Sequence, residues 1–175
     1  MGHSDFDSAE ESLLREGAAS YRLARAALRE YEALIFRRCR EVVASEQIRI
    51  SEVTGQTPKD FKEVQQFDAG TQFAALGLRT TGSGSNQFFA LWWEREKLYA
   101  AVWTGFKDAE KARRAWNSLQ EAYRSESAGA NATEIWFRRL VSAEEAGDPW
   151  PSMHNCIKEW SEAWGKIPGG LKQYL

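Results

Sequence analysis

The sequence is poor in the residues that build metal sites and covalent catalytic centres. It contains only two cysteines, Cys39 and Cys156, and two histidines among 175 residues. Neither CxxC nor HxxxH spacing occurs. A structural zinc site takes four cysteine or histidine ligands, and a nucleophilic cysteine needs a histidine in hydrogen-bond contact. We therefore predict no metal, no cofactor and no catalytic residue.

Long apolar runs and an excess of basic residues are also missing. No stretch of about 18 apolar residues occurs, and the first residues lack the pattern of a secretory signal. The net charge is −2 and the isoelectric point is near 5.8, which disfavours a broad nucleic-acid or anionic-membrane surface. The two cysteines are interpreted as small buried thiols in a reducing compartment, with a disulfide or metal pair as the alternative. These features predict a cytoplasmic protein that does not bind membranes.

What the chain does have is the composition of a folded protein. Apolar residues make up 43% and aromatic residues 13%, including eight tryptophans. A chain of this length fits one domain with one core, so residues 1–175 are predicted to form a single domain with residues 1–7 as a disordered tail. Eight tryptophans imply a core of large rings, an aromatic surface, or both.

The first third of the chain has the periodicity of one long helix, from about Ser8 to Ser45. At 1.5 Å per residue such a helix would be roughly 57 Å long, well beyond the ~30 Å span of a small domain. Either it breaks near Gly17, or its apolar stripe is buried against a second copy. A twofold dimer is the commonest arrangement for a self-complementary surface. We predict a homodimer with Leu13, Tyr21 and Leu28 at its seam.

The middle of the chain alternates in the manner of β-strands. Residues 71–81 alternate, and "NQFFALWWEREKLYAAVWTGF" from Asn86 to Phe106 reads as a hairpin with Arg95 and Glu96 in the turn. These segments predict a three-stranded antiparallel meander. One face of the hairpin is mainly aliphatic, which is typical of a surface that receives helices.

The other face of the hairpin is aromatic, with alanines between the large rings. Its large residues are Phe88, Trp92, Tyr99 and Trp103, and we predict that they bind a partner. The alternative is that helices cover both faces of the sheet and all these rings belong to the core.

The remaining segments complete an α+β fold. A helix capped by Asp108 follows the meander, "EIWFRRLVS" from Glu134 to Ser142 reads as a strand, and a last helix is predicted with Ser152 as its N-cap. Ile48 and Ile50 suggest a small extra strand before the meander. The predicted order is a long N-terminal helix, the three-stranded meander, a helix, a further strand and a C-terminal helix.

This order of elements resembles the core of the PD-(D/E)XK nucleases. Members of that family carry metal-binding acids on the second and third meander strands, with a lysine two residues after the last acid. Here the matching strand, "LYAAVWTGF", has no acid, "EREK" at 94–97 has the spacing wrong by one, and "DFK" at 60–62 lies outside the meander. The resemblance therefore implies an inactive relative.

Two further resemblances rest on the spacing of elements. The meander, the "EIWFRRL" strand and the last helix with "IKEWSEAW" are similar, over residues 31–175, to a bacterial domain of unknown function often found beside nuclease-like modules. The small acidic α+β build is also similar to type III secretion chaperones, although those carry another strand after the second helix. Both resemblances imply an accessory protein.

The sequence as a whole predicts a non-catalytic accessory module that binds a protein partner, or itself, through an aromatic-rich surface. Nucleic-acid binding is one alternative, since basic residues of the second helix could meet phosphates while Phe88, Trp92 and Tyr99 stack on bases. The others are a secretion-chaperone-like protein and a degenerate metal-dependent nuclease, for which only Glu94 and Asp60 can be nominated.

Overall fold

The computed structural model describes residues 8–56, 61–68, 70, 72–81 and 85–175. The chain divides into two compact units, the first extending to Ile35 and the second covering Phe36–Leu175. Residues 1–7, for which a disordered tail is predicted, lie outside the described residues. That the whole chain forms a single domain stays a prediction.

The first helix is long, as predicted, and it has no break. Helix α1 covers Ser8–Ser45 without interruption, so the predicted alternative of a break near Gly17 is wrong. From Leu13 to Leu34 its large apolar side chains are exposed, from 41% at Leu34 to 74% at Leu23. In the second unit the same helix buries Phe36, Cys39 and Val43.

The second unit is built on one antiparallel sheet. Its strands are β1 (Phe61–Asp68), β2 (Phe73–Thr81), β3 (Ser85–Glu94), β4 (Lys97–Phe106), β5 (Ala128–Ala130) and β6 (Glu134–Leu140). Their order is β1-β2-β3-β4-β6-β5, and every neighbouring pair is antiparallel. The predicted α+β class is confirmed.

The meander has four strands in the structure, whereas three were predicted. The missed strand is β1, whose sequence "FKEVQQFD" is mostly polar because it pairs only with β2 at the edge of the sheet. The predicted register of the central hairpin is confirmed: Phe88 lies opposite Trp103, and Trp92 lies opposite Tyr99. Arg95 lies in the turn with a positive φ of 55°.

Three helices follow α1: α2 (Gln47–Thr54), α3 (Ala109–Ala122) and α4 (Trp150–Gly165), with a short 3₁₀ helix at Leu171–Tyr174. Helix α2 replaces the small strand predicted at Ile48 and Ile50. Ile50 and Val53 are buried three residues apart while Ile48 is exposed, which is the pattern of an amphipathic helix.

Two further details of the second unit differ from the prediction. Helix α4 begins at Trp150, so Ser152 lies inside its first turn and the predicted N-cap is wrong: the N-cap residue is Pro149. Strand β5 is absent from the predicted order of elements. It is three residues of alanine and glycine, and a Cβ at Gly129 would lie 2.6 Å from the ring of Trp136.

The cap at Asp108 is confirmed, since its carboxylate accepts a hydrogen bond from the Glu110 N–H at 2.8 Å.

One face of the sheet receives helices, as the aliphatic pattern predicts. Its central residues Leu78, Phe89, Val102 and Phe137 are fully buried. The ring of Trp160 on α4 meets Phe89 edge-on at 6.0 Å, and the ring of Tyr123 at the end of α3 lies 5.9 Å from Phe137.

The second-unit end of α1 lies on this same face. Arg40 pairs with Glu63 at 2.9 Å, and Glu63 lies opposite Leu78 in the register of β1 and β2.

Candidate functional site

The other face of the sheet carries two aromatic rows separated by a row of small residues. The small row is Gly77, Ala90 and Ala101, which lie opposite one another on β2, β3 and β4. The row on one side runs Arg79, Phe88, Trp103 and Trp136, and the row on the other runs Ala75, Trp92 and Tyr99. Because the middle row has almost no side chain, the large rings can lean towards each other across it.

The rings of the two rows pack into one aromatic cluster, made of Phe73, Phe88, Trp92, Tyr99, Trp103 and Trp136. Trp92 and Trp103 stack with ring centroids 5.0 Å apart, and Phe88 stacks on Trp103 at 5.1 Å. Phe73 meets Trp92 edge-on at 5.5 Å, and Tyr99 lies 5.7 Å from Trp92. The structure thus brings together all four residues predicted to bind a partner.

These four residues differ in how much of each is accessible. Trp92 and Trp103 are 8% and 9% exposed, Phe88 is buried, and Tyr99 is partly exposed. The apolar residues packed against the buried rings all come from strands of the sheet. The rings therefore shield one another, and the partly exposed members Phe73, Tyr99 and Trp136 form the accessible rim.

Two arginines lie over the rings of this cluster. The Arg138 guanidinium is 4.8 Å from the centroid of Tyr99 and 5.0 Å from that of Trp92, and it donates to the Glu94 carboxylate at 2.9 Å. The Arg79 guanidinium lies 5.6 Å from the ring of Phe88. Both contacts are within the range of cation–π attraction.

A cavity of about 300 Å³ opens onto the aromatic cluster. Its lining residues are Gln66, Phe73, Arg79, Phe88, Trp92, Trp103, Asn131, Glu134 and Trp136. Gln66 belongs to β1 and Trp136 to β6, four strand spacings away along the sheet, roughly 19 Å in a flat sheet. The face is therefore concave.

Two hydrogen-bond donors of this cavity lining are buried without a partner, the Nε of Arg79 and the Nε1 of Trp92. An unsatisfied buried donor costs about 1–3 kcal/mol, so an acceptor that reaches it is favoured. The acidic residue of the lining, Glu134, accepts a hydrogen bond from the Asn131 side chain at 2.9 Å. The cavity can thus hold an apolar group, and an oxygen acceptor reaches the two donors once the side chains that cover them move.

The residues considered for catalysis do not meet. Cys39 and Cys156 are buried, and burial raises the pKa of the Cys39 thiol to about 12. Burial also raises the pKa of Cys156, with the nearby charge of Glu159 acting in the same direction. His154 Nδ1 lies 2.9 Å from the Glu46 carboxylate. Neither thiol is therefore poised as a nucleophile.

The structure describes only one of the two acids nominated for metal-dependent cleavage. Glu94 is paired with Arg138, and Asp60 lies outside the described residues. Within the part of the chain that the structure describes, no group of three or more histidine, cysteine or acidic side chains could hold a metal ion.

The residues predicted for a dimer seam are all accessible. Leu13, Tyr21 and Leu28 are 72%, 66% and 60% exposed. Leu14, which the prediction left out, is 68% exposed. The signal that could have found it is the spacing of seven residues that joins Leu14 to Tyr21 and Tyr21 to Leu28.

Sequence reasoning also missed Arg79 and Arg138 as parts of the aromatic site. The alternation of "EIWFRRL" places Arg138 and Trp136 on one face of β6, and Ile135 and Phe137 on the other. This alternation could have identified Arg138. For Arg79 the signal was weaker, because it depends on the pairing of β2 with β3 that sets it opposite Phe88.

Over the described residues, none of the helices has both the length and the apolar character needed to span a membrane. No protein-family model, curated protein or solved structure matches the chain.

Proposed function

We propose that the chain is a non-catalytic protein-interaction module that binds a protein partner at the aromatic cluster. The observation that carries this proposal is the cavity on the concave face, where two buried donors have no acceptor. An exposed or half-open apolar site of this kind is typical of a binding surface.

In this proposal the partner inserts one apolar side chain into the cavity and presents an oxygen to its donors. The space of about 300 Å³ exceeds the ~150 Å³ that holds a benzene molecule. Arg79 Nε and Trp92 Nε1 are covered in the free chain, so the side chains over them move when a main-chain carbonyl or a carboxylate of the partner accepts from them. Tyr99 and Trp136 contact the flanking residues of the partner at the rim.

We also propose that the module is an accessory protein of the cytoplasm and self-associates through α1. The two buried free thiols support a reducing compartment. The sequence pattern predicted one strand after the second long helix, whereas β5 and β6 both follow α3. This extra strand supports the comparison with secretion chaperones, which are themselves accessory proteins.

The alternative of nucleic-acid binding has less support. Basic residues of α3, such as Arg113 and Arg114, were expected to contact phosphates while the cluster stacks on bases. Helix α3 packs on the helix-covered face, on the opposite side of the sheet from the aromatic cluster. One strand of nucleic acid would have to reach both faces. Retention of single-stranded DNA at low salt, weakening steeply as salt rises, would favour this alternative.

Selection from a displayed library of random peptides tests the proposed function. The selected peptides are measured by isothermal titration calorimetry against the unmodified chain, Trp136→Ala and Trp116→Ala. Trp116 is a matched control, because it is also a partly exposed tryptophan but lies on α3. We expect enrichment of peptides with a large apolar residue, at least tenfold weaker binding to Trp136→Ala, and unchanged binding to Trp116→Ala. A library that yields no binder, or binders equally tight to both variants, overturns the proposal.

A further inference from the structure

The exposed part of α1 has a regular seam. Five of its seven exposed large apolar residues fall on one stripe: Leu13, Leu14, Tyr21, Leu28 and Tyr31. Leu14, Tyr21 and Leu28 are spaced seven residues apart, the heptad spacing of helices that pack along their length. Three residues after each of them come Gly17, Ala24 and Tyr31. Leu23 and Leu34 are eleven residues, or about three turns, apart, so both lie on one line beside the stripe.

From this seam we infer that two copies of the chain pair their first helices in antiparallel orientation, with the twofold axis beside residues 22 and 23. The inference rests on the proposed self-association and adds its geometry. In this register Tyr21 faces the partner's Ala24, and Leu28 faces the partner's Gly17. Leu14 faces the partner's Tyr31 at the ends of the seam.

Matching of side-chain size favours this register. Each large residue in the middle of the seam meets a small one, so that the layers interdigitate without voids. A Cβ added to Gly17 would have no heavy atom within 4 Å, which leaves that position open to the partner's Leu28. In a parallel pair the same residues would face their own copies. Tyr21 would then meet Tyr21 and Gly17 would meet Gly17, which alternates crowded and empty layers.

The residues that flank the seam also suit the antiparallel arrangement. On one flank, Leu13 faces the partner's Leu34, and Ser20 faces the partner's Ala27. On the other flank, Arg25 faces the partner's Ala18. None of these three flanking pairs joins like charges.

The seam is long and mostly apolar. From Leu13 to Leu34 it is about 33 Å long at 1.5 Å per residue. Fully burying a tyrosine removes on the order of 150–250 Å² from water, and Tyr21 and Tyr31 are 66% and 49% exposed. Together with four exposed leucines per copy, they supply a large share of the ~800 Å² per partner that stable complexes bury.

Sedimentation equilibrium tests whether the chain self-associates. The chain has a mass of 19.9 kDa, so we expect a dimer at micromolar concentration with twice that mass. Leu28→Glu places a charge in the seam and should weaken association at least tenfold. Leu23→Glu is the matched control, since Leu23 is 74% exposed and lies off the stripe, and it should leave the mass unchanged. A monomer at all concentrations overturns both the proposed self-association and its geometry.

Disulfide formation between single-cysteine variants then tests the orientation. In the antiparallel register Leu14 faces the partner's Tyr31, whereas the two copies of Leu14 are about 25 Å apart, far beyond disulfide reach. Mixing Leu14→Cys with Tyr31→Cys under mild oxidation should give a cross-linked pair of the two different chains, and neither variant should cross-link alone. The native thiols are buried, so the unmodified chain gives the background. A dimer in which each variant cross-links to itself, or in which the mixture does not cross-link, overturns the antiparallel geometry and leaves the self-association intact.

Discussion

The indole rings of Trp92 and Trp103 stack with centroids 5.0 Å apart and 29° between their planes, although they extend from two neighbouring strands in different rows of the sheet. The stack crosses the row that contains Ala90 and Ala101, whose small side chains leave the space for it. This pair joins the two aromatic rows into one cluster. It also brings Trp92 to the wall of the cavity.

If this stack holds the cluster together, Trp103→Ala should lower the free energy of unfolding by about 3–5 kcal/mol, the usual cost of removing a large buried ring. Urea denaturation followed by far-UV circular dichroism measures it. Phe67→Ala on β1 is the control, because that ring is 79% exposed, and it should change stability by no more than about 0.5 kcal/mol. Equal losses in the two variants would show that the cluster adds nothing to the fold.

Replacing Arg138 tests the cation over the rings. Arg138→Met keeps an apolar stem over Trp92 and Tyr99 but removes the charge, so we expect a loss of about 1–2 kcal/mol from the cation–π contacts together with the partly exposed ion pair. Glu94→Gln, which removes only the ion pair, should cost less than about 1 kcal/mol. A loss in Glu94→Gln as large as in Arg138→Met would mean that the rings do not attract the guanidinium.

Gly77 sets how closely β2 approaches β3. A Cβ at this position would lie 2.0 Å from the Phe89 carbonyl oxygen and 2.6 Å from Ala90, and both are fixed backbone or core atoms. Gly77→Ala should therefore destabilise the fold by at least about 1–3 kcal/mol, the usual cost of overpacking. Gly147→Ala is the control, because its Cβ would meet no heavy atom within 4 Å. Thermal unfolding of both variants checks this, and an unchanged midpoint for Gly77→Ala would contradict the packing.

The buried thiol of Cys39 predicts a loss of stability in alkali. Burial raises its pKa from 9.0 to about 12 in the folded chain, so the folded state keeps the proton that the unfolded state releases. This contribution is complete below about pH 9 and is lost as the pH rises towards 12. The free energy of unfolding should fall between pH 9 and pH 11, and Cys39→Ala should reduce that slope, leaving the contribution of the buried Cys156 thiol. An identical slope in the variant would place the alkaline sensitivity elsewhere.

How far the fold could be read from the sequence depended on how each segment is buried. The β3–β4 hairpin was predicted with its register because Phe88, Trp92, Tyr99 and Trp103 alternate with aliphatic residues on two apolar faces. Strand β1 was not predicted, since an edge strand with one partner needs few apolar residues and so loses its alternation. Short α2 was mistaken for a strand because Ile48 and Ile50 alternate over only three residues.

The candidate site was predictable only in part, for a related reason. Its four aromatic residues Phe88, Trp92, Tyr99 and Trp103 lie on β3 and β4 and follow from hairpin register alone. Arg79 and Trp136 reach the site through pairing with β3 and β4, so their positions depend on strand order in the folded sheet. The cavity is a property of sheet curvature, which local alternation does not encode.

The most direct test of partner binding at the aromatic cluster is an NMR titration of the indole N–H signals. N-acetylphenylalanine carries one apolar ring and one carboxylate, and as a probe of about 15 heavy atoms it should bind with a Kd on the order of 1 mM. We predict a saturable shift of the Trp92 indole signal as its Nε1–H gains an acceptor. The indole signals of Trp160 and Trp164, which lie buried on α4, should not change. No saturable shift at Trp92, or a larger one at Trp160 or Trp164, would contradict binding at this site.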